Sequence, residues 1–110
     1  MGIKLANNAY AVLATSITSS DTAVTLLSGQ GARFPSLSVG DYFYATLVDP
    51  YNNFEIIKVT ARTDDVLTVE RAKEGTTARA FATNDRLEVR ITAQTFIDVV
   101  NEAVAAALNS

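Results

Sequence analysis

The chain contains no cysteine and no histidine among its 110 residues. Without cysteine it forms neither disulfides nor thiolate metal sites. Without histidine it lacks the commonest general base and metal ligand, which excludes serine triads and histidine-bearing zinc sites. Asp64 and Asp65 are its only adjacent carboxylates, and their place between two predicted strands is typical of a hairpin turn. We therefore predict that the chain is not an enzyme and uses no cofactor and no metal.

Positive charge is also scarce, since nine Lys and Arg residues stand against 12 Asp and Glu, for a net charge of -3. Nucleic-acid binding needs clustered basic residues, so we expect no nucleic-acid partner. The N-terminus has neither a basic region nor a long apolar run, and we expect neither a signal peptide nor a membrane span. The hydrophobic share of 48% indicates that some apolar surface is shared with other copies or neighbouring proteins.

Short runs of alternating apolar and polar residues, bounded by Gly, Pro, Asn and Asp, predict a mainly β protein. The predicted strands span residues 10–16, 23–27, 42–48, 54–61, 66–70 and 86–91. In the last of them Leu87, Val89 and Ile91 are expected to face inward, with charged residues between them. The expected fold is a small antiparallel β-barrel or sandwich of about six strands in one domain, with a C-terminal α-helix.

The predicted organisation has three parts. Residues 1–9 form an extended N-terminal arm, residues 10–91 form the β domain, and residues 92–110 form an amphipathic helix. Within the β domain, residues 28–39 are rich in glycine and proline and carry Phe34 and Leu37, which predicts an ordered loop packed across one end of the barrel.

The C-terminal helix carries apolar residues in steps of four and three, which is the spacing of a heptad seam. Thr92 is its expected N-cap, and the seam consists of Ala93, Ile97, Val100, Val104 and Ala107. Two interpretations are open: the helix covers its own sheet, or it associates with other copies. We favour association as a homotrimer, because the helix is short and its β-branched residues suit the contacts between two or three helices.

Two further groups of residues are candidates for a protein interface. The segment of residues 71–83 has a hinge at Gly75 and carries Arg71, Arg79 and Phe81, residue types that dominate binding energy at interfaces. The alternative for Phe81 is burial under the barrel.

Tyr42 and Tyr44 share one face of a predicted strand. If that face is outward, the two tyrosines are interface anchors or a platform for carbohydrate.

Three stretches carry a resemblance to a known family: SGQGARFP at residues 28–35, GDYFYATLVD at residues 40–49 and VLTVERAKEGTTARAF at residues 66–81. Over residues 8–96 the chain resembles the small virion structural proteins of tailed bacteriophages. Members of this family occur on capsids or form the N-terminal module of fibre proteins. The resemblance implies a location in the virion, assembled in the host cytoplasm, with other copies, the major capsid protein or other virion subunits as partners. Capsid decoration, cement or a head-fibre base is the favoured role. The alternatives are a tail-fibre or collar adaptor, or a module that binds host carbohydrate.

Overall fold

The structure is a computed structural model that describes residues 2–4, 9–90 and 93–108. Its elements are strands β1 (Gly2–Ile3), β2 (Tyr10–Val12), β3 (Ala23–Thr25), β4 (Asp41–Val48), β5 (Phe54–Thr63), β6 (Val66–Lys73) and β7 (Arg86–Glu88), a 3-10 turn (Gln30–Arg33) and helix α1 (Ala93–Leu108). The mainly β fold with a C-terminal helix is therefore confirmed. The expected N-cap Thr92 and the inward-facing Ile91 lie outside the described residues.

One sheet with the order β2-β7-β4-β5-β6-β3 builds the domain, and neighbours in this order are antiparallel. The sheet curls until its two edge strands meet, because Leu13 bridges Leu26 and the Leu27 amide donates to the Val12 carbonyl over 3.0 Å. Strand β1, inside the predicted arm, pairs with β4 in parallel. The result is a barrel-like body with helix α1 on the outer face of β4.

The core lies inside the curl and consists of alternate strand residues. Its largest fully buried apolar side chains are Leu13, Val24, Leu26, Phe43, Leu47, Ile57, Val59, Leu67 and Leu87. Leu87 faces inward as predicted, and Val89 packs against the core from its edge. The loop of residues 28–39 contributes Phe34, which stacks on Phe43 with ring centroids 5.7 Å apart, and Leu37, which packs against the core. This loop closes one end of the barrel.

Several strand ends differ from the prediction: β3 ends at Thr25 and β7 at Glu88, earlier than predicted, and β5 continues to Thr63. Tertiary contacts set two further ends. The predicted strand of residues 10–16 breaks after Val12, since the chain changes partner from β7 to Leu26 and then to Phe81, which bridges Ile17. Strand β6 continues to Lys73 beyond the predicted end at residue 70, because it pairs with β5 through a bulge. Alternation within a short segment carries no signal for either change.

The hairpin turn predicted at Asp64 and Asp65 is confirmed between β5 and β6. Asp64 adopts the left-handed backbone region with φ 54°. The Asp65 carboxylate accepts hydrogen bonds from the amides of Gly29 and Gly31 at 3.1 and 2.8 Å, and these bonds lower the pKa of Asp65. Gly31 approaches the turn so closely that a Cβ there would lie 2.0 Å from the Asp64 carbonyl oxygen. The turn thus fixes the loop of residues 28–39 against the barrel.

Candidate interaction surface

Helix α1 lies with its polar side on the body. The Tyr42 and Tyr44 hydroxyls donate to Asp98, the second over 3.4 Å, and Thr95 is buried. One turn further along, Glu102 accepts the Ile3 amide over 2.9 Å, so the helix also holds β1. We call the contact of Asp98 with Tyr42 and Tyr44 the tyrosine latch. Because hydrogen bonds rather than apolar packing make this contact, it leaves the apolar side of the helix uncovered.

The electrostatics of the tyrosine latch favour an ionised Asp98. Burial alone would raise the pKa of Asp98, but hydrogen bonds from Tyr42, Gln94 and Tyr44 outweigh it and hold that pKa below its usual value. Burial and the same bond to Asp98 raise the pKa of Tyr42, so its hydroxyl stays a donor. The Lys58 ammonium lies 4.4 Å from the Tyr42 ring centroid and adds a cation–π contact.

The opposite side of helix α1 presents the heptad seam to solvent. Ile97, Val100 and Val104 are 48%, 42% and 52% exposed, and Phe96 beside them is exposed as well. With Ile97 and Val104 at heptad positions a, Val100 falls at d and Glu102 at f, the position farthest from a seam. A surface helix normally turns its apolar stripe toward the core. Helix α1 does the reverse. The interpretation in which this apolar stripe covers the chain's own sheet is therefore not what the structure has.

The seam is also free of charge. Asp98 and Glu102 are the only ionisable residues between positions 93 and 108, and both engage the body. Identical helices that meet through this seam would bring no like charges together. The two carboxylates instead accept hydrogen bonds from the Tyr42 and Tyr44 hydroxyls and from the Ile3 amide of the same chain.

Arg71, a predicted interface residue, lies inside the body at the end of the barrel next to the segment of residues 72–81. Its guanidinium forms a two-pronged ion pair with Glu55, with Nε–Oε2 and Nη2–Oε1 distances of 2.7 and 2.8 Å. Its Nη1 donates to the carbonyls of Thr18 and Asp21. The Arg71 side chain is 8% exposed and that of Glu55 is fully buried. In this chain Arg71 therefore holds segments together and is not available to a partner.

Strand alternation in β5 and the bulge in β6 explain how these two charges meet. Alternation in β5 places Glu55 on the inward face with Ile57, and the bulge sets Arg71 and Ala72 together opposite Ile57. Ala72 takes a left-handed backbone with φ 56°, and its amide donates to Glu55 over 2.9 Å. Burial opposes ionisation of Glu55, but Arg71 and the amides of Ala72 and Arg79 outweigh it and lower its pKa. Glu55 was missed from sequence, although strand alternation already placed it inward.

Arg79 and Phe81, the other two predicted interface residues of the segment of residues 71–83, have different positions. Phe81 is buried in the core and exchanges backbone hydrogen bonds with Ile17, so burial under the barrel, the alternative left open, is what the structure has. The Arg79 backbone is held at both ends, since its amide donates to Glu55 and its carbonyl accepts from Arg71. The Arg79 side chain is exposed on this fixed backbone.

Tyr42 and Tyr44 do not form an open face. Helix α1 occupies it through the tyrosine latch, Tyr44 is buried, and the two rings meet edge to face with centroids 5.6 Å apart. A sugar ring needs an uncovered aromatic platform, which this pair lacks. The exposed aromatic residues lie elsewhere, at Tyr10, Tyr51, Phe54 and Phe96.

Among residues 2–4, 9–90 and 93–108, no three acidic side chains come close enough to hold a metal ion. No helix in these ranges is long and apolar enough to cross a membrane. Comparison with protein-family models and with curated proteins finds no match. The uncovered heptad seam is therefore the feature of the described molecule that most directly indicates a role.

Proposed function

We propose that this chain is a non-enzymatic structural protein of a tailed-bacteriophage virion, which works as a homotrimer assembled through helix α1. Its role is capsid decoration or cement, or the base of a head fibre. The observation that carries the proposal is the orientation of helix α1. Polar residues attach it to the body, while the seam of Ile97, Val100 and Val104 faces away from it.

Other copies of the chain fit this seam best. Its apolar residues follow the heptad spacing, and a homomeric seam brings no charges together because Asp98 and Glu102 are held by the body. Isoleucine at both a and d shifts coiled coils from two strands toward three or more, and this seam likewise carries β-branched residues at both positions. At 16 residues, helix α1 is close to the length below which isolated helices are marginal in water, so association would add stability that the helix alone has little of.

The resemblance of residues 28–35, 40–49 and 66–81 to phage virion proteins supports the location. A decoration protein needs only small contacts with the shell, because several copies in one oligomer raise avidity without strong single contacts. The exposed Arg79 on its fixed backbone is a contact of that kind for the major capsid protein or another virion subunit. The same helix would serve a tail-fibre or collar adaptor. The location of the chain in the particle distinguishes that role from capsid decoration.

The test is to follow a tagged chain into purified virions from infected cells. We expect the chain in the particle, in a copy number divisible by three, at one type of site on the capsid. Val100→Asp should abolish its incorporation, whereas Val99→Asp, the same change one residue away and off the seam, should preserve it. A chain that is abundant in the lysate but missing from the particles would contradict the proposal.

A further inference from the structure

A second surface lies at the β2–β7 edge, where two arginines flank an exposed tyrosine and a third, Arg90, lines the groove beside it. The Arg33 and Arg86 guanidinium carbons lie 5.2 and 5.1 Å from the Tyr10 ring centroid. Tyr10 is 47% exposed between them. Arg33 comes from the 3-10 turn and Arg86 from β7, so the fold brings together residues that are 53 positions apart in the chain. We call Tyr10, Arg33, Arg86 and Arg90 the arginine–tyrosine patch.

The arginine–tyrosine patch has an excess of positive charge. Glu88 is the acidic residue that pairs with the patch, and its two carboxylate oxygens contact Arg86 at 2.9 Å and the Arg90 Nε at 2.8 Å. Glu88 thus pairs with two of the three guanidinium groups, while Asp49 and Asp85 lie along a separate groove on another side of Arg86. Because the whole chain carries a net charge of -3, a cluster of three arginines contrasts with the rest of the surface.

The guanidinium groups are held in place before any partner arrives. Arg33 makes a cation–π contact with Tyr10 and donates to the Tyr10 carbonyl over 3.1 Å, while Glu88 pairs with Arg86 and Arg90. Each retains N–H groups that no described residue accepts. Groups that are already fixed lose little side-chain freedom on binding, which favours affinity. Arginine also matches the geometry of a carboxylate with two parallel hydrogen bonds.

The shape of the surface limits the size of what can bind. A shallow groove of about 240 Å³ runs beside Tyr10, lined by Ala9, Tyr10, Arg86, Glu88, Val89 and Arg90. This volume is below the usual range for small-molecule sites and fits one or two side chains. Partner residues would therefore lie along the patch and not inside a cavity.

Backbone pairing with the edge of β2 is blocked. The Tyr10 carbonyl accepts from Arg33, the Val12 amide donates to the Gln30 side chain over 2.7 Å, and the Val12 carbonyl accepts from Leu27. An added strand would find these groups already satisfied. Recognition must therefore come from the arginine side chains and the Tyr10 ring.

We propose that the arginine–tyrosine patch binds an acidic peptide segment of a protein partner, with carboxylates on Arg33, Arg86 and Arg90 and an apolar part against Tyr10. Charge complementarity selects this partner. A nucleic acid is disfavoured because its phosphates would also meet the net negative charge of the chain. The patch shares no residue with the seam of helix α1, so this inference goes beyond the proposed function and stands or falls separately from it.

The test uses the full chain and a fluorescein-labelled hexaglutamate peptide, with binding followed by fluorescence anisotropy at low and moderate salt. We expect saturable binding that weakens with salt, because exposed charges are screened. Arg86→Gln should weaken it about tenfold or more, as the loss of a charge-assisted contact does. Tyr10→Ala should weaken it while Tyr10→Phe preserves it, since the ring positions both guanidinium groups.

Lys73→Gln is the matched control, because it removes one exposed positive charge outside the patch. It should change the affinity less than twofold, and circular dichroism should show that all variants are folded. Absence of hexaglutamate binding would overturn the inference, and so would equal losses in Lys73→Gln and Arg86→Gln. Equally tight, equally mutation-sensitive binding of an oligothymidylate would overturn the assignment to acidic peptides.

Discussion

Glu55 at the barrel end and Asp98 on helix α1 are both partly or fully buried carboxylates with lowered pKa values, yet they have opposite consequences for the surface. Glu55 joins β5, β6 and the segment that follows, and the core around it is complete within one chain. Asp98 joins helix α1 to β4 but turns an apolar seam outward. The comparison teaches that the barrel buries its apolar side chains within one chain, whereas the helix leaves an apolar seam exposed.

The largest effect should come from breaking the body at Glu55. Glu55→Gln leaves the Arg71 charge buried without its carboxylate, which should destabilise the protein by about 3–5 kcal/mol. Urea unfolding of the soluble variant measures this free energy. Glu70→Gln is the matched control, because Glu70 pairs with Lys73 on the surface and should change stability by at most about 1 kcal/mol. Equal, small effects of both changes would show that the buried pair is not what holds the barrel end.

A second test concerns the loop of residues 28–39, which closes one end of the barrel. Gly31→Ala places a Cβ against the Asp64 carbonyl oxygen, where only backbone can move, and should cost about 3 kcal/mol or more. Gly29→Ala meets nothing within 4 Å and should cost only about 1 kcal/mol from its left-handed backbone. Thermal unfolding should therefore rank the two variants clearly. A smaller loss for Gly31→Ala would mean that the loop is not fixed to the turn.

Local pattern explains which parts of this fold could be predicted. The alternation around Leu87, the turn at Asp64 and Asp65 and the heptad spacing of the helix are all signals within a few residues, and the structure contains each element. The bulge that turns Arg71 toward Glu55 depends on the register between two strands. A short sequence window does not carry that register, so Arg71 was expected at an interface.

A third prediction concerns the tyrosine latch and has a smaller effect. The pKa of Asp98 is lowered in the folded chain, so the latch contributes stability above the unfolded value of about 3.9, and this contribution is lost as pH falls through the folded value. The ring-proton NMR signals of Tyr42 and Tyr44 should then titrate with a midpoint below about 3.9. Asp98→Asn should abolish this step and cost about 1 kcal/mol. A midpoint at or above 3.9 would contradict the contact.

The candidate surface on helix α1 could be predicted only in part, because its pattern is local but its exposure depends on residues far apart in the chain. Heptad spacing identified Ile97, Val100 and Val104 as a seam, but it could not tell whether the body would cover them. That outcome depends on Asp98, whose tyrosine partners lie more than 50 positions earlier in the chain. Tyr42 and Tyr44 were considered as open anchors because sequence alone does not show a helix above them.

The most direct test of the account is the mass of the purified chain by sedimentation velocity, compared with Val100→Asp and Val99→Asp. We expect a trimer for the native chain and for Val99→Asp, and a folded monomer for Val100→Asp with the unfolding free energy of its body retained. A native chain that sediments as a monomer at every concentration, or a Val100→Asp variant that keeps the native mass, would contradict the claim that helix α1 turns its seam outward for other copies.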